Sequence, residues 1–406
     1  MSPSINNIQK EFPACNRIIN GRKAIYLDGP AGTQVPLSVI RAVTNYYRKS
    51  NANTHGQFVT SKETDKLLHR TRSKVADFLG AENADTISFG QNMTSLNFAL
   101  SQALIQTMEQ GDQIVITQLD HEANRGPWLH LKRYGIQVLE VKMKEDGTLD
   151  YADFEQKVSK RTRIIAVGYA SNIFGTVNDL PFVRKLADKF GAKIIVDAVH
   201  AAPHFKIDVQ SVGCEFLLCS AYKFYGPHVG ILYSKPGELD QLPTLSLRTQ
   251  DQRAPFKIET GTLNHAAIAG VEAAIDFIAS FGTGIDLSSR LFTAMSIIHE
   301  HEIKLARHLA ESLSKLSNIA VIGPYFTDEE RAPTLSFVHA TLQPKPICHQ
   351  LASKGIFAWD GHFYAIRAVE SLGLLEKGGV TRMGIVMYNT NEDIDRTIEV
   401  LCELGS

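Results

Sequence analysis

Between residues 60 and 235, short apolar runs alternate with stretches whose apolar positions recur at helical spacing. The runs predict strands at residues 86–89, 113–117, 136–141, 164–167, 193–196 and 216–219. The amphipathic stretches predict helices at 94–105, 151–159 and 180–190. Strands that alternate with helices predict an α/β domain: an open, mostly parallel sheet with helices on both faces. From about Leu291 the texture changes. A long helical pattern runs to Leu316, strands follow near Ala320 and at 334–338, and a further helix is expected near 347–353. This predicts a smaller α+β domain. The polar, irregular stretch 243–264 joins the two over the surface. The expected organisation is an N-terminal segment, 1–25, a large domain, 26–265, and a linking helix with a small C-terminal domain, 266–406.

A chain of 406 residues is long enough for this division. Lys plus Arg number 42 and Asp plus Glu 43, so the chain has no excess charge to attract a polyanion, and no nucleic-acid partner is expected. The first residues lack a basic start followed by an apolar run, and no apolar run is long enough to span a bilayer. No membrane partner is expected. The five cysteines are odd in number and lack metal-ligand spacing, which predicts reduced thiols in the cytoplasm and no metal site.

In an open α/β sheet, ligands bind beyond the carboxyl ends of the strands. After the first predicted strand, Gln91, Asn92, Met93, Thr94 and Ser95 open a helix. Asp120 and His121 follow the second, and Ser171 and Asn172 follow the fourth. The fifth ends at Asp197, with His200 just beyond. The sixth leads into Ser220, Tyr222 and Lys223. Each residue has an ordinary reading by itself: Asn172 as a turn residue, His121 as a surface histidine, Asp197 as one half of a salt bridge, Lys223 as a solvated lysine. Their convergence on one sheet edge favours a site.

One cofactor, pyridoxal 5'-phosphate (PLP), suits that set. A lysine amine captures its aldehyde as a Schiff base, which fits Lys223. Its pyridine nitrogen needs an ionised carboxylate to stay protonated, which fits Asp197. Its phosphate suits the helix N-terminus at residues 91–95. His121 can stack on its ring, and His200 can bond the ring hydroxyl.

Several segments resemble one family. CSAYKFYGPHVGILY is similar to the SGHK-LYGP-GIGILY lysine signature of class V aminotransferases, above all the cysteine desulfurases. VDAVHAAPHFKIDV resembles their VDGAQ segment, QLDHEANRGPW their EHHAN-PW segment, and SNIFGTV their SNVLGT segment. YLDGPAGTQVP is similar to YLDNAATSQKP, ETGTLNHAAIAG to EAGTPNTGGIIG, and TRMGIVMYNTNEDIDR to RAS-YNT-EEVDR. The resemblance implies a fold-type I PLP enzyme, a homodimer with active sites at the subunit interface. It implies Lys223 as the Schiff-base lysine, Asp197 at the pyridine nitrogen, His121 on the ring, and His200 in place of a glutamine. Asn172 and Arg382 would hold the amino-acid substrate, Arg382 by its carboxylate. Ser220, Tyr222 and Asn92 to Thr94 would surround the phosphate, and Thr262 would reach the phosphate of the other subunit.

Three departures stand out. SAYK replaces SGHK, and QNMT replaces GTTE. In the C-terminal loop, WDGHFYA stands where the desulfurases carry RTGHHCA, so Tyr364 occupies the place of the nucleophilic cysteine. A phenol cannot become a persulfide. Cys348 lies in a predicted helix and is read as a packing residue rather than a replacement nucleophile. Trp359, Phe363 and Tyr364 read as a pocket wall, with His362 a candidate acid or base. The expectation is a PLP-dependent enzyme that moves the α-proton of an amino acid. Transamination, epimerisation and β-elimination stay open, as do desulfurase and selenocysteine lyase activity. A non-catalytic PLP-binding regulator is the rival class. A dinucleotide-dependent oxidoreductase would need a G-x-G-x-x-G turn, which the sequence lacks.

Overall fold

The computed structural model describes residues 5–326 and 330–404. Its large domain is built on a seven-stranded sheet: β1 (Ile87–Gly90), β2 (Gln113–Thr117), β3 (Gln137–Val141), β4 (Thr162–Gly168), β5 (Lys193–Asp197), β6 (Phe216–Ser220) and β7 (Gly230–Ser234). The order across the sheet is β1-β7-β6-β5-β4-β2-β3. Only β7 runs against the others, and it pairs antiparallel with both β1 and β6. The central strands carry apolar residues at almost every position because both faces are covered. Side-chain alternation splits them between two cores: Ile114, Ile116, Ile195 and Leu218 face one, while Val115, Ile194, Val196 and Leu217 face the other.

Helices α1 (Leu37–Lys49), α2 (Val59–Leu79), α3 (Met93–Leu104), α4 (Leu180–Phe190) and α5 (His265–Ala279) belong to this domain. Their ends follow local chemistry. The Asn92 side chain accepts the Ser95 N–H at 2.9 Å, and Ser95 Oγ accepts the Asn92 N–H at 3.3 Å, a reciprocal cap that opens α3. Asp179 caps α4, Pro181 sits in its first turn, and Gly191 ends it at φ 72°.

The 27-residue helix α6 (Leu287–Leu313) bridges the domains. Its first half, with Leu291, Met295 and Ile298, packs into the large-domain core, and its second half, with Leu305 and Leu309, packs into the small one. The small sheet comprises β8 (Ile319–Ile322), β9 (Thr334–His339), β10 (Trp359–Gly361) and β11 (Val380–Gly384), antiparallel throughout in the order β8-β9-β11-β10. Helices α7 (Pro344–Ser353) and α8 (Asn391–Glu403) complete this domain. Ile25 and Leu27 join the small-domain core from the opposite end of the chain, and Ile25–Tyr26 pairs parallel with Ile356–Phe357.

The six strands expected in the large domain are all present, with shifts of one residue at several ends and of two at the start of β4. The reversed strand β7 is an addition to the six, its apolar run lying inside the lysine motif.

Candidate active site

A cavity of about 810 Å³ opens at the carboxyl ends of the parallel strands, with the small domain forming its far wall. The turn after β1 brings Asn92, Met93 and Thr94 to it. The loop after β2 brings His121, and the loop after β4 brings Asn172. β5 ends on Asp197, with His200 beyond, and β6 leads into Ser220, Tyr222 and Lys223. From the small domain come His362 and Tyr364, after β10, and Arg382 on β11. Thr262 does not line this cavity. It is exposed in the irregular segment before α5.

Lys223 is buried, and its ammonium donates to the Pro30 carbonyl. Burial and the Arg382 guanidinium push its pKa down to about 7, although Asp197 and Asp28 pull the other way. A lysine in that range has a substantial neutral fraction near neutral pH. Asp197 stands on the neighbouring strand, where its Oδ1 accepts the Val199 N–H at 2.9 Å. Burial raises its carboxyl to about 6, with that hydrogen bond and Lys223 opposing.

His121 Nδ1 accepts the Ala123 N–H at 3.0 Å, so the neutral ring carries its proton on Nε2. Burial, with Lys223 and Arg382 nearby, lowers its pKa to about 4. His200 is buried with Nε2 at 3.1 Å from Thr334 Oγ1, and burial holds it well below the usual histidine range. Both imidazoles are therefore uncharged.

At the opposite end, Met93 N–H donates to Ser220 Oγ at 3.0 Å at the first turn of α3. This N-terminus has the polarity that suits an anion. Glycine is required beneath it, because a Cβ on Gly230 would lie 2.4 Å from the Asn92 carbonyl carbon.

Arg382 is buried and forms no ion pair among the described residues; its Nη1 donates to the Asn172 carbonyl at 2.8 Å. Burial lowers its pKa to about 9, with Asp28 and Tyr222 opposing, so it stays charged. The Asn172 amide donates to the Phe363 carbonyl at 3.0 Å, while its Oδ1 finds no partner among the described residues.

Phe363 and Tyr364 both adopt left-handed backbone, at φ 50° and 58°. Each such residue costs on the order of 1–3 kcal/mol and persists only where its surroundings enforce it. Here the Glu122 N–H donates to the Tyr364 carbonyl at 2.7 Å, and the Tyr364 N–H donates to His362 Nδ1 at 3.2 Å. The Tyr364 side chain is 68 % exposed at the cavity mouth, its ring centroid 5.5 Å from that of His121. No cysteine among the described residues lines the cavity. Cys348 is buried on α7, and burial pushes its thiol up to about 12.

Two acids received no role from the sequence. Asp28 lies beside Arg382, with burial raising it to about 6 and its Oδ1 unpartnered among the described residues. Asp120 lines the cavity next to His121. Both stand in segments that carry the family resemblance, but their neighbours come from distant parts of the chain.

Residues 25–397 match the profile of the family described as Aminotransferase class-V. The chain belongs to that family. Among the relatives of this class V protein, a probable cysteine desulfurase of Halalkalibacterium halodurans is 31% identical over 405 residues, covering 96% of this chain and 95% of the relative. A cysteine desulfurase of Enterobacter sp. is 31% identical over 414 residues, covering 98% and 97%. The apo structure of a cysteine desulfurase from Thermococcus onnurineus NA1 matches with a TM-score of 0.88 at 27% identity, covering 98% of this chain and 97% of that one. One from Escherichia coli matches at 0.85 with 25% identity, covering 98% of each. The fold is that of fold-type I PLP enzymes. This class V member is an enzyme, in a family whose aminotransferases and cysteine desulfurases depend on PLP.

Proposed function

We propose that this chain is a PLP-dependent enzyme acting on an amino acid, with Lys223 moving the proton at the substrate Cα and Arg382 holding the substrate carboxylate. One observation carries the reading: a buried amine with a pKa of about 7 and a buried guanidinium without an ion-pair partner among the described residues line the same cavity. The residues fit PLP. Lys223 would hold its aldehyde carbon, Asp197 its ring nitrogen, and Ser220, Tyr222 and the Asn92–Thr94 turn its phosphate. His121 would lie on its ring, and His200 near its hydroxyl. Bound there, PLP supplies an electron sink for a carbanion at the substrate Cα.

The chain's own groups account for the rest. A guanidinium meets a carboxylate through two parallel hydrogen bonds and so fixes the orientation of the amino acid. Neutral Lys223 accepts the Cα proton and can return it. The aromatic residues of the 359–364 loop narrow the mouth and limit water. Desulfuration through a persulfide requires a thiolate beside the substrate sulfur, whereas this loop carries Tyr364. The favoured branches are therefore transamination, epimerisation or β-elimination without a protein thiol. Cysteine desulfurase activity, which the names of the relatives favour, is the second reading, with selenocysteine lyase activity beside it. The working state would be a cytoplasmic homodimer, with Thr262 serving the cavity of the partner subunit.

The test is Cα proton exchange in heavy water, run across the amino acids with PLP-loaded protein. Exchange on at least one amino acid, abolished in Lys223→Ala, is the expected result. PLP binding without exchange or product on any amino acid would leave the protein a PLP-binding regulator.

A further inference from the structure

The loop after β2 holds an acid that the reading above does not use. Asp120 is 5% exposed and lines the cavity. Its Oδ1 accepts the N–H of Gly168 at 2.7 Å. Gly168 ends β4 and is the register partner of Asp197 on β5, so Asp120 is fastened to the backbone directly beside Asp197. This approach requires glycine, since a Cβ at position 168 would lie 2.6 Å from Asp120 Oδ1. The other oxygen, Oδ2, is inaccessible and has no close hydrogen-bond partner among the described residues; the Thr117 hydroxyl beside the carboxylate offsets the cost of burial only in part. Arg125, the cation on the same loop, is taken up by Glu122, Glu140 and the Thr117 carbonyl. An ionised carboxylate with an orphaned oxygen in a dry site is far more costly than a neutral carboxyl group. Two ionised carboxylates side by side there also repel each other.

We propose that Asp120 is a positioning residue acting through Asp197: it holds the one proton that the two buried acids share, and so leaves Asp197 ionised toward the cavity. Naming the cation that Asp197 then meets as a PLP ring nitrogen rests on the reading above, whereas the shared proton does not. The titration supports the geometry. Burial and the charge of Asp197 raise Asp120 to about 7, whereas Asp197 itself reaches about 6. As an acid raised in this way, Asp120 keeps its proton below about pH 7 and loses it above. The groups facing the pair are the Thr117 hydroxyl and Arg125 on the side of β2, the Gly168 N–H on β4, the Val199 N–H after β5, and Lys223 after β6. The charge of Asp197 acts on Asp120, so the Asp120 proton is held more tightly while Asp197 is ionised.

Infrared difference spectra of the PLP-free protein with ¹³C-labelled aspartate test the proton directly. The carbonyl band of a buried carboxylic acid should include a component that fades through about pH 7, and that component should be missing in Asp120→Asn, leaving the acids that fade near pH 6. Asp197→Asn removes the neighbouring charge and should move the fading to lower pH by about one unit, a tenfold change. No such band in the native protein, or a band unchanged in Asp120→Asn, overturns the proposal. If Asp120→Asn does not fold, the Asp197→Asn titration decides, and an unmoved midpoint overturns it. In PLP-loaded protein the visible absorbance should carry an inflection near neutrality that Asp120→Asn abolishes. Failure to bind PLP with the infrared result intact would defeat the cofactor reading and leave the shared proton standing.

Discussion

The Arg382 guanidinium sits over the ring of Phe363, with Cζ 3.9 Å from the ring centroid. Asn172 closes the arrangement, giving its amide to the Phe363 carbonyl and accepting Arg382 on its own carbonyl. Three segments from two domains thus hold one cation in place. A cation over an aromatic face contributes about 0.5–2 kcal/mol, according to how dry the contact is.

Arg382→Gln should raise KM for a carboxylate-bearing substrate about 100-fold, or about 2.8 kcal/mol at 1.4 kcal/mol per tenfold. Phe363→Leu should raise it less, roughly fivefold. Steady-state kinetics on the substrate found by proton exchange, beside the matching amine without a carboxylate, checks this. An equal effect on both compounds would remove the carboxylate role from Arg382.

Capture of the PLP aldehyde needs a neutral amine. Because the Lys223 pKa is lowered to about 7, the protonated, unreactive form prevails below that pH and the reactive form above it. The rate of PLP uptake by PLP-free protein should therefore rise with pH through about 7 rather than near the ordinary lysine value. Stopped-flow absorbance gives the profile. Borohydride treatment and peptide mapping should then tag Lys223, and a tag on another lysine would refute the assignment.

With L-cysteine and a reductant, sulfide release should be slow, and no persulfide should form on Cys348 or any other cysteine. Tyr364→Cys puts a thiol at the exposed tip of the loop and should yield a trappable persulfide at that position. Mass spectrometry after alkylation reads both. Rapid turnover by the native protein with a persulfide on any of its cysteines would restore the desulfurase reading.

Thr262 is exposed and away from the cavity of its own chain. If it serves a partner subunit, sedimentation should give a dimer. Thr262→Ala should then weaken PLP binding about tenfold, the loss of one hydrogen bond to a charged group. A fully active monomer would exclude the arrangement.

Much of the site could be read because its parts are local. The run Ile194 to Asp197 is an apolar strand that ends in a carboxylate, and Lys223 closely follows the apolar run of β6. Period and end residue share one short window there. The rest depends on contacts between distant segments. That β7 runs against its neighbours follows from where it is inserted in the sheet, not from its composition. Asp120 gains its meaning from Gly168, and Arg382 from Phe363 and Asn172. The left-handed backbone at Phe363 and Tyr364 had no signal at all, since neither residue type favours it.

The pairing of Ile25–Tyr26 with Ile356–Phe357 bears on how the chain is made. These strands lie roughly 330 residues apart, and ribosomes add about 5–20 residues per second. Ile25 and Leu27 therefore wait about 15 to 65 seconds for the core they complete. Over that interval a short greasy segment of the nascent chain stays open to chaperones. A deletion reaching residue 27 would accordingly damage a domain whose remaining strands are synthesised long after it.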